Sequence, residues 1–293
     1  MYLSRVTFGD VSADADFEKL DFAQHELGAQ AFEDVDELLD CYLGGLQRNG
    51  QVAGDPIHSR CQGQHVAYAN VVRPGSAEER HCSRYNRKYL GAIRELFGTD
   101  PTWELLADDV PDSFPDDDPP SSFYLFASSH DGCSPVRRCD TNEAHPSYLI
   151  PIDDDERERL YFWSREYNRT DGIWFFSGEL ETAAYEQLAT PASCLSRYGR
   201  ELCESIEKTL ERPVYYYLLR HYGRAEGENA RRCPGCGGPW RVEDSGVARD
   251  SEGRRLFHDF DFQCEACRLV SHLGSTDDEP EMARFGEFPP PES

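Results

Sequence analysis

The sequence predicts an α+β protein made of a ferredoxin-like N-terminal domain, a central α+β domain and a C-terminal Cys-rich ribbon. Three observations support this prediction. Strand and helix patterns follow one another in the order βαββαβ across residues 1–108, which is the order of a ferredoxin-like domain. A segment rich in Pro and Asp, residues 109–122, then predicts a linker. Two Cys-x-x-Cys pairs stand near the C-terminus, at Cys233/Cys236 and at Cys264/Cys267.

The elements of the N-terminal domain follow from local patterns. The stretch MYLSRVTF alternates and predicts a strand. The stretch AFEDVDELLDCYLGGLQRNG places its apolar residues on one helical face, and Asn49-Gly50 ends this helix. Two strands are predicted around Gly63. A second helix is predicted in RYNRKYLGAIRELFG, where Gly98 is the stop signal, and a last strand in PTWELLADD.

The central domain, residues 123–228, is predicted to mix strands and helices. Strands are predicted in SFYLFAS, SYLIPI and DGIWFFSG, with a helix from about Asp153 to Tyr167 between the last two. A further helix follows, with Thr190 as its N-cap and Pro191 as its first helical residue. The stretch PVYYYLLRHYG is apolar on both faces, which predicts a central strand that is covered on both sides.

The acidic charge restricts the classes of partner. The chain has 293 residues and a formal net charge of −25. Such a surface repels polyanions at long range, so binding to DNA over the whole surface is disfavoured, whereas a local basic patch stays compatible with it. The acidic, Pro-rich residues 275–293 have the composition of a disordered tail.

The sequence predicts a cytoplasmic protein without a membrane partner. The stretch MYLSRVTFGDVSAD has no basic region followed by an apolar core, so it lacks the pattern of a signal peptide. No apolar run approaches the ~18–20 residues that a transmembrane helix needs. The chain has 11 Cys. An odd number without an export signal favours reduced thiols and a metal site over a disulfide framework.

The two Cys pairs predict a metal site formed by Cys233, Cys236, Cys264 and Cys267. Two residues between thiolates let both sulfurs of a pair reach one tetrahedral ion at about 2.3 Å. The stretches WRVED and LFHDFDFQ between the pairs predict strands, and this arrangement is that of a zinc ribbon over residues 229–274. One zinc ion is the expected cofactor, with iron as the alternative. We expect it to be structural, because four thiolates leave no position open for water or substrate.

Basic and aromatic residues around the Cys pairs are candidates for nucleic-acid contact. From Pro213 to Leu273, nine Arg balance nine acidic residues, so this region repels a polyanion less than the chain as a whole. Phosphate contacts and base stacking are predicted for six residues: Arg231, Arg232, Trp240, Arg254, Arg255 and Arg268. In the alternative, the aromatic residues pack a small ribbon core and the Arg residues pair with Asp and Glu.

Other candidate sites are weaker. Cys133 and Cys139 share a loop with His130 and His145, but their spacing does not match a metal knuckle. A looser second metal site and ordinary loop thiols are both compatible with this pattern. The motifs G-x-S-x-G, H-E-x-x-H and G-x-G-x-x-G and a Walker loop do not occur in the sequence. The sequence therefore favours a protein without catalytic activity.

Six blocks between Phe123 and Leu273 carry a family resemblance. They are SPVRRCD, FWSREYNRTDGIWF, SCLSRYGRELCESIE, PVYYYLLRHYGR, RRCPGCGGPWRV and FDFQCEACRLVSHL. With them the chain resembles an uncharacterised bacterial family that is described as zinc-ribbon-containing and nucleic-acid-binding. The resemblance implies that the family's metal ligands correspond to the four Cys of the two pairs, and it implies nucleic acid as a partner.

These observations predict a non-catalytic zinc-ribbon protein that binds nucleic acid, or a machine acting on nucleic acid, through the ribbon. The alternative is a protein–protein interaction adaptor whose zinc site is purely structural. Binding that falls steeply as salt rises would favour the first function. A pull-down that survives nuclease treatment would favour the second. The sequence leaves the oligomeric state open.

Overall fold

The computed structural model divides the chain into two compact units. The described residues are 1–11, 34–108, 110, 120–129, 132–242 and 257–288. The first unit is formed by Met1–Pro115, Pro146–Leu149 and Asp153–Glu158, and the second by Asp116–His145, Ile150–Ile152 and Arg159–Ser293. Each unit has its own sheet and its own apolar core. Within the described ranges, no helix is both long enough and apolar enough to span a bilayer.

The first unit is built on a four-stranded antiparallel sheet. Its elements are, in chain order, β1 (Tyr2–Gly9), α1 (Val35–Arg48), β2 (Val52–Cys61), β3 (Gln64–Val71), α2 (Arg84–Phe97) and β4 (Thr102–Leu105). The strand order in the sheet is β2-β3-β1-β4, and every neighbouring pair is antiparallel. The predicted succession of strands and helices is therefore present in the structure.

Local signals set the ends of α1 and α2. Asp34 is the N-cap of α1, where its side chain accepts a hydrogen bond from the amide of Glu37 at 2.9 Å. Ser83 has the same role in α2 and accepts from the amide of Asn86 at 3.2 Å. Gly98 ends α2 with φ 71°, a left-handed conformation that glycine adopts without steric penalty. The predicted stop at this glycine is confirmed.

The apolar faces of α1 and α2 close the core of the first unit. Leu38, Tyr42 and Leu46 of α1 are buried, as are Ile93 and Leu96 of α2. These residues recur at helical spacing, which gives each helix one apolar stripe. They belong to the same core cluster as buried residues of β1 and β3, so burial of these stripes fixes both helices against the sheet.

Strands β2 and β3 form a hairpin around the predicted turn. Gln62 (φ 55°) and Gly63 (φ 88°) both have positive φ, as a two-residue type I′ turn requires. The register of the hairpin pairs Arg60 with His65. Residues two apart along a strand point to the same face. His58, Arg60 and His65 therefore lie on one face of the hairpin.

The second unit is built on a five-stranded mixed sheet. Its elements are, in chain order, β5 (Phe123–Leu125), β6 (Val136–Arg138), α3 (Asp154–Phe176), α4 (Glu181–Ala189), α5 (Cys194–Leu210), β7 (Val214–Tyr217), β8 (Phe262–Cys264) and β9 (Leu269–Ser271). The first residues of α3, up to Glu158, are counted with the first unit. The strand order is β6-β5-β7-β9-β8. Neighbours β5, β7 and β9 run parallel, whereas the edge strands β6 and β8 are antiparallel to their neighbours.

Strand β7 lies in the middle of this sheet. Val214 and Tyr216 belong to the core cluster that contains Trp163. Tyr215 and Tyr217 belong to a different cluster. All four residues of the strand are buried. The sequence prediction of a central strand covered on both sides is confirmed, because only such a strand buries successive residues.

Two predicted strands of the central region are wrong. Residues 171–176 (DGIWFF) form the last turns of α3, which runs to Phe176 instead of ending near Tyr167. Phe175 and Phe176 are exposed, and an apolar run of this length does not by itself distinguish a strand from a helix. In SYLIPI, Ser147–Leu149 form a 3₁₀ turn, since the flanking prolines lack the N–H donors of a β-ladder.

The predicted start of α5 is also wrong by three residues. Thr190 does not cap this helix and instead follows the last residue of α4, donating its amide to the carbonyl of Glu186 at 3.1 Å. The N-cap of α5 is Ser193, whose hydroxyl accepts from the amide of Ser196 at 3.1 Å. The same hydroxyl donates to the carbonyl of Gln187 at 2.7 Å. The Ser193 hydroxyl therefore caps α5 and at the same time connects its start to α4, which favours Ser193 over Thr190 as the N-cap.

The predicted ribbon, residues 229–274, is not a separate unit. Its strands β8 and β9 complete the five-stranded sheet, with β9 pairing directly with β7. Cys233, Trp240 and Phe262 belong to the same core cluster as residues of β5 and α5. The expected boundary before residue 229 therefore does not separate two cores, because the metal-site segment uses the core of the central region.

The described part of the predicted disordered tail is packed on the second unit. Met282 and Ala283 are 6% and 2% exposed, and they share a cluster with Tyr185 and Tyr222. Phe285 packs against the same cluster. These apolar contacts outweigh the acidic composition of the segment, so the expectation of disorder does not hold for residues 275–288. Residues 289–293 lie outside the described residues, as do most of the linker residues 109–122.

Candidate metal centre

The thiols of Cys233, Cys236, Cys264 and Cys267 converge in the structure. Their sulfur atoms all lie within 4.8 Å of one another, and the Sγ atoms of Cys236 and Cys264 are 3.7 Å apart. A tetrahedron with metal–sulfur bonds of 2.3 Å has edges of about 3.8 Å. The arrangement can therefore hold one tetrahedral metal ion with small adjustments, and the structure brings together the four residues that the spacing predicted.

The first Cys pair lies in a tight turn that depends on glycine. The amide of Gly237 donates to the carbonyl of Cys233 at 2.8 Å, and Gly237 has φ 69°. A Cβ atom on Gly235 would stand 2.7 Å from the Sγ of Cys267, a contact that atoms of this size do not tolerate. Both positions therefore need glycine, one for its backbone conformation and one for the approach of the opposite thiol.

The second Cys pair lies in the connection between β8 and β9. Cys264 is the last residue of β8 and pairs in register with Leu269 at the start of β9. Arg268, between Cys267 and Leu269, has φ 50°, which turns the chain back into β9. The sheet thus positions this pair directly, so the metal site lies at the end of the two outer strands.

The electrostatics of the four thiols favour a bound cation. Burial raises the pKa of Cys233 to about 11 and also raises the pKa of Cys267. The amide of Gly238, which points at the sulfur of Cys236, lowers the pKa of that thiol. Backbone amides also act to lower the pKa of Cys233, but burial outweighs them there. A divalent cation would favour the thiolate form of all four, because coordination competes directly with the protons.

A second group of potential metal ligands lies in the first unit and was missed by the sequence analysis. It consists of Asp36, His58 and His65. The signal that could have found it is the hairpin turn at Gly63, which places the two histidines on one face. In the part of the chain that the structure describes, Cys133 and Cys139 belong to neither group, and His130 lies outside that part.

The side chain of Arg231 is buried and paired, so it cannot contact a nucleic acid as placed. Only 2% of it is exposed. Its Nε atom donates to Glu228 Oε2 at 2.6 Å, and its Nη2 atom donates to the carbonyl of Ala283 at 2.5 Å. The prediction of a phosphate contact is therefore corrected: Arg231 joins the start of the metal-site segment to the C-terminal segment.

The other candidates for nucleic-acid contact differ in their exposure and in their ion pairs. Trp240 is 2% exposed and stacks on Phe262 at 4.8 Å, so it packs the core and offers no face to a base. Arg268 donates to Glu207 and Glu265. Arg232 is exposed. The remaining two candidates, Arg254 and Arg255, lie outside the described residues.

Comparisons with known proteins place the chain near uncharacterised bacterial proteins. Residues 117–219 match the family model described as a domain of unknown function (DUF2310), and residues 223–277 match a second one (DUF8594). Two uncharacterized proteins of Haemophilus influenzae are each 29% identical to the chain over 174 residues. That alignment covers 58% of this chain, 81% of one relative and 63% of the other. No solved structure matches the chain.

The matched ranges agree with the expected resemblance to uncharacterised bacterial proteins. The second half of the chain is similar to bacterial proteins of unknown function, and all four Cys of the metal centre fall within residues 223–277. Neither family description names a zinc ribbon or nucleic acid. The chemistry of the site therefore rests on the residues themselves.

Proposed function

We propose that this chain is a non-catalytic zinc-binding protein that acts by binding a protein partner. One structural Zn²⁺ is held by Cys233, Cys236, Cys264 and Cys267. The observation that carries the metal assignment is the convergence of four sulfur atoms within 4.8 Å from two segments of the chain. Zinc takes four thiolates in a tetrahedron, and iron in the same site is the alternative that metal analysis distinguishes.

The coordination supports a structural role for the ion. Four protein ligands fill a tetrahedral site, so water and substrate find no open position. Strands β8 and β9 have only three residues each, and few ladder hydrogen bonds hold them to the sheet. The free energy of metal binding therefore contributes to the folding of this segment. Loss of the ion would loosen the segment without removing a catalytic group.

The proposal of a protein partner is supported by exposed apolar side chains on α3. Phe162, Ile173 and Phe176 are 52%, 41% and 74% exposed. Their spacing of 11 and 3 residues places them on one side of α3, turned away from the buried Trp163 and Tyr167. Ile173 and Phe176 are neighbours on this side, whereas Phe162 lies about 16 Å from Ile173 along the helix axis. At the end of α3, the ring of Phe176 lies 4.8 Å from that of Phe175, which is also exposed. Exposed apolar side chains that cluster in this way are typical of protein–protein interaction sites.

The second candidate function is nucleic-acid binding, favoured by exposed Arg232 next to the first Cys pair. Against it stand the net charge of −25 and the ion pairs of Arg231 and Arg268. We rank it below a protein partner for this reason. Under this second function, affinity for nucleic acid would fall steeply with salt and would depend on Arg232.

Two further assignments belong to this proposal. We assign the first unit to the ferredoxin-like class, and the support is its element succession with the strand order β2-β3-β1-β4. We also assign the protein to the cytoplasm, because a thiolate site needs reduced cysteines.

The metal assignment is tested by measuring the zinc and iron content of purified protein. The wild type should carry zinc at the thiolate site, and Cys264→Ser should lose one ion per chain. Cys194→Ser is the matched control, because this Cys is exposed on α5 and should change nothing. Equal metal content in the wild type and in Cys264→Ser would contradict the assignment.

The partner class is tested by cross-linking in cells followed by nuclease treatment and pull-down. Phe162→Gln and Phe176→Gln should each lose a partner protein that the wild type retains, whereas Glu166→Gln on the same exposed face should keep it. A band shift on nucleic acid at low salt that disappears in Arg232→Ala would instead favour the second candidate function.

A further inference from the structure

Asp36, His58 and His65 come together from three separate elements of the first unit. The histidines lie on one face of the β2–β3 hairpin, because Arg60 pairs in register with His65. Asp36 lies in the first turn of α1. The side chain of His65 is 4% exposed, that of His58 13% and that of Asp36 51%. The group therefore has a buried side on the sheet and an open side at the carboxylate.

The distances within this group match those between ligands of one small cation. His65 Nδ1 lies 3.3 Å from Asp36 Oδ1 and 3.3 Å from His58 Nε2. A tetrahedral ion with bonds of 2.0–2.1 Å to nitrogen and oxygen has ligand separations of about 3.3 Å. The second nitrogen of the His58 ring is 4.0 Å from Asp36 Oδ1. The two contacts of His65 thus match coordination distances, and the ligand atoms of all three side chains lie within 4.8 Å of one another.

Hydrogen bonds alone leave this group unsatisfied. His65 Nδ1 carries at most one proton when the ring is neutral, yet it faces both the carboxylate and the other imidazole. If this nitrogen accepts a hydrogen bond from His58 Nε2–H, it carries no proton of its own and cannot donate to Asp36. Asp36 Oδ1 is inaccessible to solvent and accepts no hydrogen bond. A cation at the common centre would satisfy all three atoms at once.

The protonation of His65, the neighbouring Arg60 and the orientation of the two imidazole rings are compatible with a bound cation. Burial lowers the pKa of His65, which favours the neutral ring that coordinates metals. Arg60 Nη2 lies 3.6 Å from Asp36 Oδ1, but its side chain is 63% exposed and can turn into solvent. The two imidazole rings are nearly parallel, at 17°. His58 must therefore rotate about its terminal torsion, whose energy profile is broad.

We propose that Asp36, His58 and His65 form a second metal site that binds one divalent transition-metal ion of the zinc class. Two imidazoles and one carboxylate suit zinc and its neighbours better than calcium or magnesium. With three protein ligands, the fourth position faces the open, carboxylate side and is available to water or another small ligand. The site lies in the first unit and does not depend on the four-cysteine centre.

The test is a Co²⁺ titration of the full, metal-stripped chain under reducing conditions, with bound metal quantified after dialysis. Co²⁺ on thiolates absorbs strongly in the near ultraviolet through sulfur-to-metal charge transfer, whereas a site of nitrogen and oxygen ligands does not. The wild type should bind two Co²⁺ ions, one at the four-cysteine centre and one at the site formed by Asp36, His58 and His65. His58→Gln should lose the second ion, or bind it at least about tenfold more weakly, and keep the thiolate band.

Two further variants complete the test. Asp36→Asn, an isosteric change at a half-exposed side chain, should behave like His58→Gln. His81→Gln is the matched control, because this histidine belongs to the same unit but packs against Tyr148; it should bind like the wild type. If His58→Gln and Asp36→Asn bind as many ions as the control with the same affinity, the second site does not exist. An absent thiolate band would instead contradict only the four-cysteine centre.

Discussion

Arg268 and Glu207 form a two-pronged ion pair that joins the second Cys pair to α5. Arg268 Nε lies 2.9 Å from Glu207 Oε2, and Nη2 lies 3.2 Å from Oε1. Glu207 also accepts the amide of Val214 at 2.9 Å. One carboxylate therefore binds both the residue that follows the last metal ligand and the first residue of the central strand β7.

The first prediction concerns this pair. Arg268→Ala should lower the free energy of unfolding by about 1 kcal/mol, a value kept small because both side chains are about one third exposed and solvent screens the pair. Urea unfolding of the two single variants and of the double variant with Glu207→Ala measures the coupling. A coupling energy of zero would show that the contact has no role in stability.

The second prediction concerns the buried pair of Arg231 and Glu228. Glu228→Gln should destabilise the protein by about 3 kcal/mol, because it leaves a buried guanidinium without its nearest negative charge. Arg220, 3% exposed and electrostatically coupled to Arg231, adds to the uncompensated charge. Urea unfolding checks the value. Glu201→Gln, whose side chain is 66% exposed, is the control and should change little.

The third prediction is the pH dependence of stability. Burial alone would raise the pKa of Glu228, but hydrogen bonds from Arg231 and the amide of Arg224 outweigh it and leave that pKa lowered. A lowered pKa gives stability that is present above the unfolded value, about 4.3, and is lost as pH falls below it. Stability should therefore drop between about pH 5 and pH 3, and the drop should be smaller in Glu228→Gln. Equal drops would contradict this assignment.

The fourth prediction concerns the C-terminal segment. Met282→Ala should lower the free energy of unfolding by about 2 kcal/mol, since this side chain is 6% exposed within a cluster of aromatic residues. Glu281→Ala, at the exposed neighbouring position, should stay within about 0.5 kcal/mol of the wild type. If both variants unfold alike, the segment does not contribute to the core.

The sequence supports those predictions that depend on short-range chemistry. The thiol spacing in Cys233–Cys236 and Cys264–Cys267 predicts their convergence, because a tetrahedral ion imposes that spacing. Gly98 and the turn at Gly63 mark element ends through backbone conformations that favour glycine. The apolar pattern of β7 predicts its central position, since burial on both sides requires apolar residues on both sides.

Other features depend on contacts that one sequence does not encode locally. Ser193 outcompetes Thr190 as a cap because its hydroxyl also donates to Gln187 in α4. The acidic C-terminal segment packs because Met282 meets a cluster formed by distant residues. The proximity of Asp36 to His58 and His65 depends on how α1 lies on the hairpin, which periodicity does not reveal.

X-ray absorption at the zinc edge shows whether a zinc ion is held by four thiolates, because it reports the atoms that surround the metal. The measurement uses the His58→Gln variant, because this change removes the proposed second metal site and leaves zinc at the four-cysteine centre. We expect one zinc ion surrounded by four sulfur atoms at about 2.3 Å. A shell dominated by nitrogen and oxygen, or purified protein that binds no zinc, would contradict a zinc ion held by four thiolates.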